Sequence, residues 1–304
     1  MVEKKVGFVA MTSEKKAVGD IPEIGVGIIG HAFMGKAHSN GWKKLPYIFW
    51  PPSAIPKLIS ICGIPEASVA EAAKRYGFLD YTTDWRKVIN DDRISIVDIA
   101  TPNFLHAELS IEAAKAGKNI ICEKPMARNS REAREMRTFI KERYNEETKQ
   151  KEKVDVDDAF ASVVEFKNGA IGTLEASRFC HGRKNFNTLE INGENGSIWW
   201  DLENMNNLWV YWKNEEPYQT RGFHCVSVTE SYHPYYENWW PHGHIIGWEN
   251  LFVHEFYNMV EAVINNKSME PFVATFEDGY RSCVICDSIQ ESSETGKKVL
   301  CKYE

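Results

Sequence analysis

Four short apolar runs recur through the first half of the chain: Ile24–Ile29, Leu58–Cys62, Ile94–Ala100 and Asn119–Cys122. Strands covered on both faces read as nearly unbroken hydrophobic runs, because neither face meets water. The segments between them, such as Pro65–Tyr76 and Leu105–Ala116, are rich in Ala, Glu and Lys with helical spacing. Gly117 stops the second of these at its C-terminus. Strand alternating with helix in this rhythm predicts a parallel sheet with right-handed crossovers.

The rhythm breaks after Met136. Residues Arg137–Lys153 carry six basic and four acidic side chains and almost nothing to bury, which reads as a solvated helix end and linker. Beyond it the pattern turns to hairpins. Phe160–Phe166 and Ala170–Ser177 flank Lys167-Asn168-Gly169, where Asn-Gly is expected to supply the positive φ angles of a tight turn. Thr188–Asn192 and Ser197–Asp201 flank Gly193–Gly196, and Leu208–Trp212 continues the series. Helices are expected near Glu249–Asn265 and Asp278–Thr295. The predicted fold is an α/β Rossmann-type doubly wound parallel sheet over 23–136, followed by an α+β domain with an open antiparallel sheet over 154–304. The linker spans 137–153, and residues 1–22 form an N-terminal extension.

Composition narrows the function classes. The 304 residues carry 36 basic and 43 acidic side chains, a net charge of −7. Nucleic acid and anionic membrane both call for clustered positive charge, so neither is expected as a partner. No apolar run is long enough to span a bilayer, and Val6–Met11 is a short patch without a cleavage site, so no signal peptide is expected. Seven cysteines include only the loose Cys283-x-x-Cys286 pair, which fits packing on a helix better than zinc. Free thiols suit a reducing cytoplasm. His242 and His244 stand two apart with no third ligand in view, so no metal is expected.

The chemistry begins at Gly30-His31-Ala32-Phe33-Met34-Gly35, directly after the first strand and ahead of a helix. Glycines there allow a tight turn and let backbone N–H groups approach a pyrophosphate at the positive helix end. Ala32 stands where a glycine is usual. Following the right strand at the head of a βαβ series, this turn predicts dinucleotide binding. The second strand ends Cys62-Gly63-Ile64-Pro65-Glu66, with no immediate Asp for a ribose 2′-hydroxyl and no Arg for a 2′-phosphate. NAD is therefore the expected cofactor, with NADP the alternative. Two more segments leave strand ends, Ala100–His106 and Cys122–Ala127. Within the second, Lys124 stands beside Glu123 and is locked by Pro125. Partial burial there would ease the loss of its proton or its hydrogen bonding to a substrate hydroxyl. Without the glycine-rich turn upstream, a lysine simply reaching solvent would be the better reading.

The turn, the Ala100-Thr101-Pro102-Asn103-x-x-His106 segment and Glu123-Lys124-Pro125, in this order, resemble the glucose–fructose oxidoreductase / inositol dehydrogenase family (Gfo/Idh/MocA). Phe33–Ser39 and Val154–Asp158 resemble its sugar dehydrogenases of the levoglucosan-dehydrogenase kind. The resemblance implies an NAD(P)-dependent oxidoreductase, with hydride passing from a sugar or polyol secondary alcohol to nicotinamide. It places Lys124 on the substrate hydroxyl and has Glu123 and Pro125 shape the nicotinamide pocket. Gly30, Ala32, Phe33, Met34, Gly35, Thr101, Pro102, Asn103 and His106 would line the cofactor. Independently of the resemblance, the exposed face of the second domain's sheet is expected to pair with a copy of itself, which predicts a homo-oligomer.

The likeness has a gap. Family members carry a long block after the helix that follows Glu-Lys-Pro, holding a sixth strand and an Asp…His pair that supplies the general base. Here Met136 runs straight into Arg137–Arg143, and no Gly-Asp-x-x-x-His occurs anywhere in the chain. Two readings stand open: an enzyme that has given up the usual base, or an internally deleted cofactor-binding remnant. On the substrate side remains Ser177–Asn185, where His181 is a candidate proton acceptor and Arg178 or Arg183 a hydroxyl donor. A histidine in such a loop is more often a surface residue. The late tryptophans (Trp199, Trp200, Trp209, Trp212, Trp239, Trp240, Trp248) suit sugar C–H faces and sheet packing equally.

Overall fold

The computed structural model describes residues 20–130, 159–178 and 180–303. Most of the expected N-terminal extension, Met136, the 137–153 linker, Val154–Asp158 and Phe179 lie outside the described residues. The first half runs β1 (Glu23–Ile29), α1 (Phe33–Ile48), β2 (Ile55–Cys62), α2 (Glu66–Tyr76), β3 (Asp80–Thr82) and α3 (Trp85–Ile89). It continues with β4 (Ile96–Ile99), a 3-10 turn over Asn103–Leu105, α4 (His106–Lys115) and β5 (Asn119–Cys122). The five strands are parallel in the order β3-β2-β1-β4-β5. Chain order reverses between β1 and β4, which opens a ligand crevice at the carboxyl ends.

The apolar runs become strands because helices cover both faces. All four residues of β4 are buried, and Ile29, Ile59, Val97, Ile99, Leu109 and Ala113 share one core cluster. Two elements escaped the hydrophobic pattern. β3 is only Asp80-Tyr81-Thr82, too short and polar to alternate, and α3 is a five-residue helix capped by Asp84, whose carboxylate accepts from the Arg86 N–H. The run expected over Ile94–Ala100 yields a strand only at Ile96–Ile99. Ile94 instead closes the preceding turn by donating its N–H to the Asp91 carbonyl (3.0 Å).

Strands β6 (Ala159–Glu165) and β7 (Ile171–Ser177) form the expected antiparallel hairpin. Its loop differs in one respect: only Gly169 has positive φ (87°), not Asn168 as well. Gly169 N–H donates to Phe166 O and Phe166 N–H to Ala170 O, both at 2.8 Å. The connection is thus a three-residue loop ending in a left-handed glycine. A separate antiparallel sheet, ordered β11-β10-β9-β8, comprises β8 (Thr188–Asn192), β9 (Gly196–Asp201), β10 (Asn207–Trp212) and the unanticipated β11 (His224–Ser227).

The chain closes with α5 (Asn250–Asn265) and α6 (Phe276–Thr295). Contacts group Asp20–Ser177 with Phe252–Glu304 as one compact unit and Arg178–Leu251 as part of another. Within the first, α5 lies on α1. Phe256 stacks on Trp42 (4.2 Å, 5° between planes) and Tyr257 on Phe49 (4.0 Å, 13°), and such aromatic pairs add to plain burial. Helix α6 begins with a Thr275/Asp278 capping box. It buries Tyr280, Cys283 and Val284 against Ala127, so of the expected helix-packed pair Cys283 is buried while Cys286, on the same helix, is exposed.

Candidate active site at the carboxyl edge of the parallel sheet

Register brings the site together. Ile29 pairs with Cys62 and with Ile99, and Ile99 pairs with Cys122, so β1, β2, β4 and β5 end level with one another. The segments leaving them, at Gly30, Gly63, Ala100 and Glu123, therefore share one edge. Gly30 has φ 112°, and a Cβ there would meet the Ala100 carbonyl oxygen at 2.3 Å. A Cβ on Gly35 would come within 2.0 Å of the Gly30 carbonyl oxygen. Only glycine lets the turn fold this closely onto the β4 end.

Helix α1 then starts at Phe33 behind Ala32, with no capping side chain and no acid in its first turn. Its leading N–H groups and positive dipole end suit a phosphate. Phe33 is exposed on this first turn, together with the half-buried Met34. At the β4 end, Thr101 Oγ1 is buried with no hydrogen-bond partner among the described residues. A glycine cradle, an uncapped helix and an orphaned hydroxyl on one edge fit a dinucleotide. At the β2 tip, Glu66 opens α2 as an exposed acid, a place the helix dipole favours.

His106 is buried where a cofactor-lining residue was expected. Its Nε2 lies 2.8 Å from the Thr101 carbonyl oxygen and its Nδ1 2.9 Å from that of Pro125. It ties the β4 exit to the β5 exit. Pro102 is exposed, and Asn103 is half-buried at the head of the 3-10 turn. Lys124 departs from expectation: it is exposed rather than partly buried, and no hydrogen bond or ion pair of its ammonium occurs among the described residues. The reason is local, since β5 stops at Cys122 and Lys124 follows on an irregular segment beyond the sheet edge.

Beneath Lys124 lies a buried ionic group that the sequence reading did not single out. His38, on α1, is 1% exposed and donates from Nδ1 to Asp98 Oδ1 (2.8 Å) and from Nε2 to Glu123 Oε1 (2.9 Å). Trp42 Nε1 donates to the other Asp98 oxygen at 2.8 Å. Burial alone would push the His38 imidazole down. The Asp98 carboxylate and its hydrogen bond, followed by Glu123, overcome this and hold the pKa at about 10. Burial would likewise raise Glu123, but the hydrogen bond and charge of His38, with Lys124 adding to them, leave it below the usual carboxylate range. Glu255 on α5 is the third carboxyl of the group. Burial, offset in part by His38 and reinforced by Asp98 and Glu123, pushes it up to about 7. Two signals were available in the sequence: Asp98 inside an otherwise apolar strand, and His38 within the Phe33–Ser39 motif.

The candidate substrate residues belong to the Arg178–Leu251 part of the chain. Arg178 and His181 are exposed there. Arg183 stacks over the Phe186 ring (3.8 Å) and reaches Glu203 (3.6 Å), which also accepts from the backbone N–H groups of Lys184 and Asn185. Trp199 and Trp209, on paired strands, lie 6.1 Å apart.

A glycine turn and an uncapped helix at the switch point of a parallel sheet define a Rossmann-type dinucleotide-binding protein. Residues 24–146 match the oxidoreductase-family NAD-binding Rossmann fold, and residues 123–300 match that family's C-terminal alpha/beta domain. The chain belongs to the Gfo/Idh/MocA oxidoreductase family and carries its NAD-binding domain. It is 31% identical to levoglucosan dehydrogenase of Pseudarthrobacter phenanthrenivorans, over 89% of this chain and 96% of that protein. An inositol 2-dehydrogenase of Rubrobacter xylanophilus is 31% identical over 39% of this chain and 32% of that one. Among solved structures, levoglucosan dehydrogenase in complex with NADH and L-sorbose superposes with a TM-score of 0.86 at 30% identity. That match covers 93% of this chain and all of that one.

Proposed function

We propose that this oxidoreductase is an NAD-dependent dehydrogenase of a sugar or polyol secondary alcohol, with NADP as the alternative cofactor. The observation that carries the reading is the meeting, on one sheet edge, of the Gly30–Gly35 phosphate cradle with Glu123-Lys124-Pro125. When bound, nicotinamide accepts the hydride that leaves the carbinol carbon. Lys124 donates a hydrogen bond to the reacting hydroxyl and orients it, and orientation supplies much of the rate in such transfers. His181 is the candidate acceptor for the hydroxyl proton. Arg178 and Arg183 are candidate donors to the other hydroxyls. The relatives named for levoglucosan and inositol support a small polyhydroxylated substrate. Among the described residues no helix is long and apolar enough to cross a membrane.

A second reading, a cofactor-binding remnant without turnover, has its own support. No Gly-Asp-x-x-x-His occurs in the chain, and the alignment with levoglucosan dehydrogenase runs over 379 residues, more than the 304 this chain possesses. One experiment separates the two: titrate with NAD and NADP, then follow nicotinamide reduction with sugars, anhydrosugars and inositols. Reduction that disappears in Lys124→Ala supports the dehydrogenase, whereas binding without reduction supports the remnant. We further propose a homo-oligomer paired through the C-terminal strands, on the strength of the exposed Val163, Ile171, Leu189 and Ile191. Light scattering on a size-exclusion column that returned a monomer mass would overturn it.

A further inference from the structure

The His38 group joins the cofactor helix to the Glu-Lys-Pro segment, and both ring nitrogens of His38 and all four carboxylate oxygens of Asp98 and Glu123 have a specific partner. His38 stands one and a half turns into α1, the helix whose first turn follows the phosphate cradle. Both its ring nitrogens face carboxylate oxygens, so both must donate, which only the imidazolium can do. Asp98 cannot drift, because its second oxygen is taken by Trp42. Glu123 is likewise used at both ends. Its Oε1 accepts from His38, and its Oε2 accepts from the backbone N–H of Lys124 at 3.2 Å. On the far side of the lysine, His106 holds the Pro125 carbonyl. Phe252 and Phe256 wall the imidazole at centroid distances of 4.9 and 5.3 Å and keep water from its faces. The charged or titratable groups near it are Asp98 from β4, Glu123 with Lys124 after β5, and Glu255 from α5.

We propose that His38 is a positioning residue for the active-site lysine: its imidazolium clamps the Glu123 carboxylate, whose second oxygen fixes the Lys124 backbone beside the nicotinamide site. The kinetic part of this inference rests on the dehydrogenase reading; the clamp itself does not. Replacing His38 by Gln leaves a single donor nitrogen and no charge where two ring nitrogens now serve two carboxylates. Replacing Glu123 by Gln removes one of its two acceptor oxygens. Either change lets Lys124 wander, and a displacement of about 1 Å costs on the order of 100-fold in rate.

The test has two arms on the full-length chain. The first uses wild-type protein with ¹⁵N-labelled histidine and follows His38 by NMR. Both ring nitrogens remain protonated from pH 6 to 8.5, and the Lys124 amide exchanges about tenfold faster in Glu123→Gln. A neutral His38 at pH 7.5, or a Lys124 amide indifferent to that substitution, overturns the proposal whether or not the enzyme turns over. The second arm measures kcat and KM of His38→Gln, Glu123→Gln and the double variant. Each single change lowers kcat about 100-fold with little change in KM for NAD, and the double variant is no slower than the singles, because both break one chain of contacts. Multiplying effects would mean that His38 does not act through Glu123, and the proposal falls. A wild-type chain that reduces no NAD with any substrate refutes the dehydrogenase reading alone, since the first arm still decides the clamp.

Discussion

Strand β4 and strand β8 make opposite use of their residues. All four positions of β4 are buried, a charged aspartate among them, while all five positions of β8 are exposed, including Leu189 and Ile191. The parallel strand is covered by its own helices, and that cover turns Asp98 into a fixed charge in a dry place. Among the described residues, the antiparallel strand leaves Leu189 and Ile191 about half exposed (52% and 51%). One region spends its hydrophobic surface on holding a site. The other keeps such surface available at the periphery.

The sharpest way to break this contrast is to empty the buried charge. Asp98→Ala leaves the His38 imidazolium and the Trp42 N–H without their acceptor, and removing one partner of a buried pair costs about 3–5 kcal/mol. Urea unfolding measures it. A loss below about 1 kcal/mol would mean that water or Glu255 takes over and that the group is no structural keystone. Next in size is Gly30→Ala. A non-glycine residue held at positive φ costs about 1–3 kcal/mol, and the collision with the Ala100 carbonyl oxygen adds to that. NADH binding, read by fluorescence, is expected to weaken together with the thermal midpoint. An unchanged affinity would remove the turn from the cofactor site.

How much of this was legible beforehand follows from the same contrast. Continuous apolar runs announced β1, β2, β4 and β5, because burial on both faces leaves a strong mark in sequence. β3 and β11 left none, being three and four residues long with mixed polarity. The glycine turn and Glu123-Lys124-Pro125 were readable because their chemistry needs particular residues at particular spacings. The His38–Asp98–Glu123 group was not, since its members lie 60 and 85 positions apart in pairs and only register brings them together. The exposure of Lys124 is not legible in the sequence for a related reason: the pattern of a strand does not say where its last hydrogen bond falls.

The pH dependence sharpens the contrast from the buried side. His38 has a folded pKa of about 10 against an ordinary 6.5, so its stabilisation is complete below 6.5 and fades as pH rises through 10. Glu255 works with the same sign. Its folded pKa of about 7 exceeds the ordinary 4.5, so a penalty builds between those values and persists above them. Glu255→Gln therefore stabilises the protein at pH 8, by about 1–3 kcal/mol, and is neutral near pH 4. Thermal unfolding at the two pH values checks this. Equal shifts at both would mean that Glu255 is ionised like a surface carboxyl.

The smallest effect tests the exposed side. On the β6–β7 hairpin, Val163 and Ile171 are 77% and 76% exposed, and cross-strand register puts them on one face with Glu165 and Thr173. Changing both to Thr removes apolar surface that the folded chain itself does not bury and keeps β-branched side chains suited to a strand. Stability of the isolated fold should move by no more than about 0.5 kcal/mol. If this face pairs with a second copy, the same change lowers the mass seen by light scattering, and the thermal midpoint loses its dependence on protein concentration. A large destabilisation at high dilution would show instead that the hairpin face is covered from within the chain, and the opposition between a self-covered parallel sheet and an uncovered antiparallel one would fail.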